Sequence, residues 1–201
     1  MYNVKKFFAV AAVLLGSLLS PASWANLVVN GGFEADPILS GPYNHKTSLT
    51  GWTVAAGSGI VLFNSTYKPV GGGLQSIQLE LAGHSIEQYL PTVVGQLYLL
   101  TFDLTAYSPP GTAILGVEIG GDPAALFSPS FGDSPYETFS VQFAAASGST
   151  LLRFTNDGLA APNYTYPHLD NISVTAIPEP ASLALVGLGL LGIAAARRRK
   201  S

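Results

Sequence analysis

Polar and apolar residues alternate one by one through much of the middle of this chain. Ser76-Ile77-Gln78-Leu79-Glu80-Leu81 is the clearest run, and a two-residue period puts every apolar side chain on one face of an extended strand. Tyr136 to Phe143 repeats the pattern with Phe139, Val141 and Phe143 on a common face, and Leu169 to Val174 does so with Ile172 and Val174 inward. Shorter runs predict strands at Leu27 to Asn30, Trp52 to Val54, Ile60 to Phe63, Ser85 to Tyr89, Leu97 to Tyr107, Ile114 to Ile119 and Leu151 to Thr155. Turn formers such as Gly71-Gly72-Gly73, Ser108-Pro109-Pro110-Gly111 and Ala161-Pro162-Asn163 separate them. Residues 26 to 177 hold no amphipathic run of three helical turns. Many short strands at this spacing predict an all-β sandwich or barrel.

Both ends break the alternation. Lys5 and Lys6 precede the apolar stretch Phe7 to Leu19, followed by Pro21 and Ser23-Trp24-Ala25. A positive region, a short apolar helix and a small-x-small site are the layout of a secretory signal peptide, so residues 1–25 are expected to be removed by signal peptidase after Ala25. At the other end Pro178-Glu179-Pro180 leads into the 16 uncharged residues Ala181 to Ala196, then Arg197-Arg198-Arg199-Lys200. As a helix that run spans about 24 Å, short of the roughly 30 Å hydrocarbon core. Snorkelling of Arg197 and local thinning of the bilayer cover the difference. The basic block keeps this end cytoplasmic.

Charge follows the same division. Residues 26–177 carry three cations (Lys46, Lys68 and Arg153) against eleven acids, a formal −8, while the other six of the nine cations sit in the end segments. An acidic domain lacks the basic patch that nucleic acid or an anionic membrane surface requires, so no nucleic-acid partner is expected. It is a suitable host for a divalent cation. The chain has no cysteine, which excludes thiol catalysis, a disulfide framework and cysteine zinc sites.

The C-terminal segment, residues 177–201, resembles the PEP-CTERM protein-sorting signal of Gram-negative bacteria. Pro178, Glu179 and Pro180 match its triplet, Ala181 to Ala196 its membrane helix, and Arg197, Arg198, Arg199 and Lys200 its basic end. The resemblance implies transient anchoring in the inner membrane, recognition and cleavage by an exosortase, and release or transfer to the cell surface.

Residues 26–176 carry a second resemblance. Asn26-Leu-Val-Val-Asn-Gly-Gly-Phe-Glu34, Gly51-Trp52, Gln78-Leu79-Glu80-Leu81, Ile86-Glu87-Gln88, Gly95-Gln96-Leu97-Tyr98 and Leu169-Asp170-Asn171-Ile172-Ser173-Val174 are similar to the galactose-binding-like jelly roll. That is the fold of many carbohydrate-binding modules and of plant and bacterial cell-wall domains. It implies a jelly-roll β-sandwich whose first and last strands are close, flanked here by an N-terminal signal helix and a C-terminal hydrophobic helix. It also implies a structural calcium beside those strands, with Glu34 and Asp170 in the matching positions and Asp36 or Asn171 adding an oxygen. Calcium wants six to eight oxygen ligands, so two acids define a site only with carbonyls or water around them. Without the metal, Glu34 is a turn residue and Asp170 caps neighbouring amides.

Sugar binding needs exposed rings that stack on pyranose faces, flanked by amides and carboxylates. Tyr43-Asn44-His45 and Asn163-Tyr164-Thr165-Tyr166 mix the two, which makes Tyr43, Tyr164 and Tyr166 the candidate contacts. Tyr67, Tyr107, Phe131 and Tyr136 are further loop aromatics, while Trp52 reads as core. Enzyme signatures are missing: there is no Gly-x-Ser-x-Gly elbow, His-Glu-x-x-His pair or phosphate loop. His45, His84 and His168 lie without ligand spacing, and Glu80 with Glu118 would make a glycosidase pair only across a cleft of about 5 to 9.5 Å. The chain therefore reads as an exported, non-catalytic module that binds or organises extracellular polysaccharide. The alternative is a matrix or surface protein without sugar affinity.

Overall fold

The structure, a computed structural model, describes residues 25–38, 41–55, 57–64, 72–107, 113–129, 136–158 and 166–178. Eleven strands are found among them: β1 Tyr43–Lys46, β2 Thr53–Val54, β3 Ile60–Asn64, β4 Gln75–Leu79, β5 Ser85–Pro91, β6 Leu97–Tyr107, β7 Leu115–Ile119, β8 Asp122–Phe127, β9 Glu137–Ala144, β10 Ser149–Asn156 and β11 Tyr166–Ala176. They pair in two antiparallel sheets, one of order β1-β3-β4-β11-β6-β9 and one of order β2-β5-β10-β7-β8. Of the sandwich and the barrel that the alternation left open, the all-β sandwich is the fold. Among the described residues no helix is long and apolar enough to cross a membrane. The signal helix and the C-terminal helix fall outside the described residues.

The core forms where the inner faces meet, which is what alternating strands require. Leu62, Ile77, Leu100, Phe102, Leu104 and Leu169 from the larger sheet are buried with Ile86, Leu90, Leu115, Val117, Leu152 and Phe154 from the smaller. Phe102 stands with its ring 5.1 Å from Phe127, 5.3 Å from Phe154 and 5.9 Å from Phe139, contacts worth roughly 1 kcal/mol each beyond the area they bury. Trp52 is core, as expected, tilted between Phe33 at 6.1 Å and Phe154 at 6.2 Å, and its indole N–H donates to the Asn30 carbonyl.

Three local departures shape the functional surfaces. Leu27 to Asn30 does not form a strand; the Leu27 amide donates to the Val174 carbonyl at 2.9 Å, and the chain then turns at Asn30, whose φ is 55°. Leu169 and Ile172, three residues apart, both reach the core, which strict alternation forbids. A bulge between Asp170 and Ser173, with Asn171 at φ 50°, resets the parity. Finally, Gln75–Leu79 is buried on both faces, because side chains such as Tyr136 cover the outside of the larger sheet.

Candidate functional site

Two surfaces carry the chemistry. The first is the corner where the N-terminal segment meets β11. The Asn30 to Glu34 turn closes with the Phe33 amide donating to the Asn30 carbonyl. It fits only because residue 31 is glycine: a Cβ there would overlap the carbonyl oxygen of Ile172, whose own amide donates to the Gly31 carbonyl at 3.0 Å. This turn and the Asp170 bulge aim two carboxylates at one segment. Glu34 Oε1 accepts the amides of Leu74 and Gln75 at 2.6 and 2.8 Å, while Asp170 accepts those of Gly72 on Oδ2 at 3.0 Å and Asn171 on Oδ1 at 2.7 Å. A Cβ on Gly32 would lie 3.8 Å from both Asp170 Oδ1 and the Glu34 side chain, so the two acids flank a single point.

The surroundings of this corner are polar and partly strained. Asn30, Phe33 and Asn171 all sit at positive φ, a cost of about 1 kcal/mol or more each that persists only where surroundings enforce it. Asp103 accepts the Asn171 amide group at 2.8 Å and the Thr138 hydroxyl at 2.6 Å. The hydroxyls of Ser76 and Tyr136 are buried and find no hydrogen-bond partner among the described residues. Burial pushes the Tyr136 phenol well above its ordinary range; the nearby Ser76 hydroxyl, outside hydrogen-bond geometry, opposes this, and the Asp170 and Asp103 charges reinforce it. Asp36 is committed elsewhere, accepting the amide and hydroxyl of Thr50 and the side chain of Asn30. Among the described residues no three His, Cys, Asp or Glu side chains gather as a metal-binding group.

The second surface is the outer face of the smaller sheet, which stays open. Register places Thr53, Glu87, Arg153, Glu118 and Pro123 in one row across all five strands. Arg153 bridges the two acids, with Nε and Nη2 on Glu87 Oε2 at 2.7 and 2.6 Å and Nη1 on Glu118 Oε2 at 2.7 Å. The guanidinium is held above its ordinary value, first by the hydrogen bond to Glu87, against the cost of burial and with help from both charges. Beside this row lie Tyr89, 65% exposed, and its cross-strand partner Leu151. On the other side Gly116 leaves room for the Asp157 carboxylate, whose Oδ2 occupies the space a Cβ would need. Desolvation raises the Asp157 carboxyl above its usual range. Gly116, Glu118, Pro123, Leu126, Thr155 and Asp157 line a groove of about 320 Å³.

The candidate residues read from the sequence are scattered between these surfaces. Glu34 and Asp170 converge, as described. Tyr43 lies on the edge strand β1, ringed by His45 and Phe63, and His45 pairs with Glu80 at 3.0 Å. Tyr166 opens β11 opposite Tyr107. The row from Tyr43 runs through Phe63 and Ser76 toward Asp170, four residues along β11 and so about 13 Å from Tyr166. The two tyrosines do not meet. Glu80 and Glu118 are on opposite sheets. Tyr164, Glu179, Pro180, Arg197, Arg198 and Arg199 lie outside the described residues, while Ala25 and Pro178 are described and exposed. The open row was missed although it left a trace: Glu87, Glu118 and Arg153 are each a lone charge between two large apolar or amide neighbours on an alternating strand, and Arg153 is the only arginine of residues 26–177. Their pairing depends on register alone.

Fold and surfaces together define an antiparallel β-sandwich whose larger sheet is covered on its outside over β3 and β4 and whose smaller sheet keeps its outer face open, followed directly by a sorting tail. The chain belongs to the family described as "Protein of unknown function (DUF642)", whose model matches residues 26–175, and the PEP-CTERM protein-sorting motif matches residues 176–200. The motif marks it as an exported protein. No curated protein matches the sequence. Among solved structures, the Stig cyclase Fisc from Fischerella sp. TAU is 18% identical with a TM-score of 0.56, covering 77% of this chain and 98% of its own. The CBM22-1–CBM22-2 tandem domain of Paenibacillus barcinonensis Xyn10C is 14% identical with a TM-score of 0.54, covering 80% of this chain and 47% of its own. The CBM22-1 xylan-binding domain of the same protein gives 14%, 0.49, 65% and 88%. Identities this low define the fold alone, and that fold serves both binding modules and a cyclase.

Proposed function

We propose that the sandwich is a non-catalytic module that binds extracellular polysaccharide on the open outer face of its smaller sheet. In this reading signal peptidase cuts after Ala25, the C-terminal helix holds the chain in the inner membrane, and an exosortase processes it near Pro178-Glu179-Pro180, leaving the domain at the cell surface or outside the cell. The observation that carries the reading is the juxtaposition of exposed Tyr89 with the Glu87-Arg153-Glu118 row and the adjoining groove. A flat ring supplies a stacking platform, and a row of fixed donors and acceptors supplies partners for hydroxyls. Both carboxylates are engaged by one guanidinium, which suits fixed recognition better than proton transfer. The CBM22-1–CBM22-2 tandem domain, of similar fold, supports a binding role for the sandwich.

A calcium ion at the Glu34–Asp170 corner is a second proposal. It is favoured by two buried hydroxyls, Ser76 and Tyr136, that find no partner among the described residues, beside a fully buried Asp170. Glu34 and Asp170 would hold the ion, with backbone carbonyls completing its oxygen shell, and its charge would tie the N-terminal segment to β11.

A glycan array probed with the protein, with and without calcium, tests both. At least one polysaccharide is expected to be retained, and Tyr89→Ala is expected to abolish retention without altering thermal stability. A melting temperature that rises on calcium addition, and no longer does so in Asp170→Asn, supports the metal. If no glycan is retained and calcium drives self-assembly, the matrix-protein alternative replaces the binding reading.

A further inference from the structure

The end of the sandwich from which the tail departs differs in character from the rest of the domain. β11 remains paired to its last residue, Ala176 opposite Tyr98, and backbone bonding continues one residue further. The Ile177 amide donates to the Leu97 carbonyl at 2.8 Å, and its carbonyl accepts Gln96 Nε2 at 2.7 Å. Only Pro178, Glu179 and Pro180 then separate the folded domain from the apolar run starting at Ala181. Three residues reach roughly 10 Å at full extension, and two of them are prolines. The N-terminal segment runs antiparallel to β11, through Leu27–Val174 and Gly31–Ile172, so residue 26 lies at the same end as Ile177.

Two interlocked turns build this end. The β5–β6 turn is tied to the β9–β10 turn by Thr92 N to Gly148 O at 3.1 Å, Gly95 N to Ala145 O at 2.8 Å, Ala145 N to Gln96 O at 3.0 Å and the Thr92 hydroxyl to Ser147 O at 2.8 Å. Neither Pro91–Leu97 nor Ala144–Thr150 contains a charged residue, in a domain of formal charge −8. Among the described residues the acid that comes to this end is Asp122, the first residue of β8, next to Gly120, which donates to Leu151 O, and Glu179 follows in the link. At the tip Val93 and Val94 are 67% and 66% exposed, and Leu97 follows at 48%. Turn tips favour Gly, Asn, Asp and Ser, so adjacent exposed valines there are unusual.

We infer that this tip, Val93 and Val94 with Leu97 behind them, rests in the interfacial layer of the bilayer while the C-terminal segment is inserted. The partner is a lipid surface. An anionic bilayer repels a domain of charge −8 least at an end whose tip turns carry no charge, and apolar side chains at the end of a three-residue tether partition into the interface without further entropy cost of approach. The contact keeps the Pro178-Glu179-Pro180 link at the membrane surface and is relinquished once the tail is removed. This inference rests on insertion of the tail in the proposed processing and is independent of sugar binding.

The natural chain has no cysteine, so single-cysteine variants of the full-length protein report one position each. Val93→Cys and Val94→Cys, carrying an environment-sensitive fluorophore, are compared in phosphatidylcholine–phosphatidylglycerol vesicles with Leu126→Cys. Leu126 is 69% exposed but pairs with Gly116 toward the opposite end of the sheet. A label at Leu190→Cys scores tail insertion separately. Labels at 93 and 94 are expected to shift to the blue and be quenched by nitroxide lipids, and to react with an aqueous quencher about tenfold less than the label at 126. The Val93→Asp/Val94→Asp pair should return a Leu97→Cys label to water while its circular dichroism stays native. A shielded label at 190 with labels at 93 and 94 as wet as that at 126 overturns the inference. So does shielding of 93 and 94 that occurs without vesicles, which assigns the tip to a second copy, or only after another membrane protein is added.

Discussion

Replacing Arg153 with methionine keeps most of the aliphatic stem and removes the guanidinium from the open face. Arg153 makes charge-assisted bonds of 2.6 to 2.7 Å to Glu87 and Glu118, and the three side chains are 33%, 21% and 25% exposed. Bonds to charged groups contribute about 1.5–3 kcal/mol when well buried; water at this depth reduces each to about 1 kcal/mol. Removing the cation also leaves two carboxylates facing each other across one strand, a repulsion of about 1 kcal/mol at the effective dielectric of a protein surface. The expected loss is therefore about 3 kcal/mol, read as a lower urea midpoint at unchanged m-value. In a Glu87→Gln/Glu118→Gln background the same replacement should cost only about 1 kcal/mol. A loss under about 1 kcal/mol, or an equal loss in the two backgrounds, would refute the idea that the row is held by its charges.

Gly31→Ala should destabilise by about 3 kcal/mol or more, because its Cβ overlaps a backbone carbonyl that cannot move aside, whereas Gly120→Ala, at φ 71° in open space, should cost only about 1 kcal/mol; parallel melting curves check the ordering. Gln88→Leu removes the bonds to Val29 N at 2.8 Å and Val29 O at 3.1 Å, and that to Gly51 O. A loss of about 2 kcal/mol and faster hydrogen exchange at Val29 are expected, since partly buried backbone groups lose their partner. Asp157→Asn should stabilise at neutral pH: with its carboxyl raised by desolvation, wild-type stability falls as pH rises through that raised value, a slope the amide lacks. The advantage should vanish as pH drops to 3.8, the ordinary value, and a melting temperature difference that stays constant from pH 7 to that point would count against it.

Much of the fold was legible because alternation is a property of the strand itself. The predicted runs at Ile60, Ser85, Leu97, Ile114, Tyr136 and Leu151 all lie in strands β3, β5, β6, β7, β9 and β10 with ends shifted by a few residues. The two strands that escaped notice are edge strands. Tyr43-Asn44-His45-Lys46 has no apolar residue to bury except one ring, since β1 pairs with β3 alone. β8 begins Asp122-Pro123, and proline is tolerated at an edge, where no second neighbour needs its amide. Leu27 to Asn30 looked like a strand because it is apolar. Its backbone instead bonds β11 and the Gln88 side chain and then turns at Asn30.

The sequence by itself determined that the chain carries an export sorting tail and where that tail starts, that its domain is acidic and that its middle is all-β, a sandwich or a barrel. Those properties live in local composition and in periods of two residues, and any reader of the chain in order can find them. Tertiary structure decided which outer face is open, that a bulge at Asn171 aims Asp170 at the same segment as Glu34, and that Arg153 stands between Glu87 and Glu118, residues 66 and 35 positions away. Strand order and register set those meetings, and they arise from how two sheets pack as a whole, which no local pattern encodes.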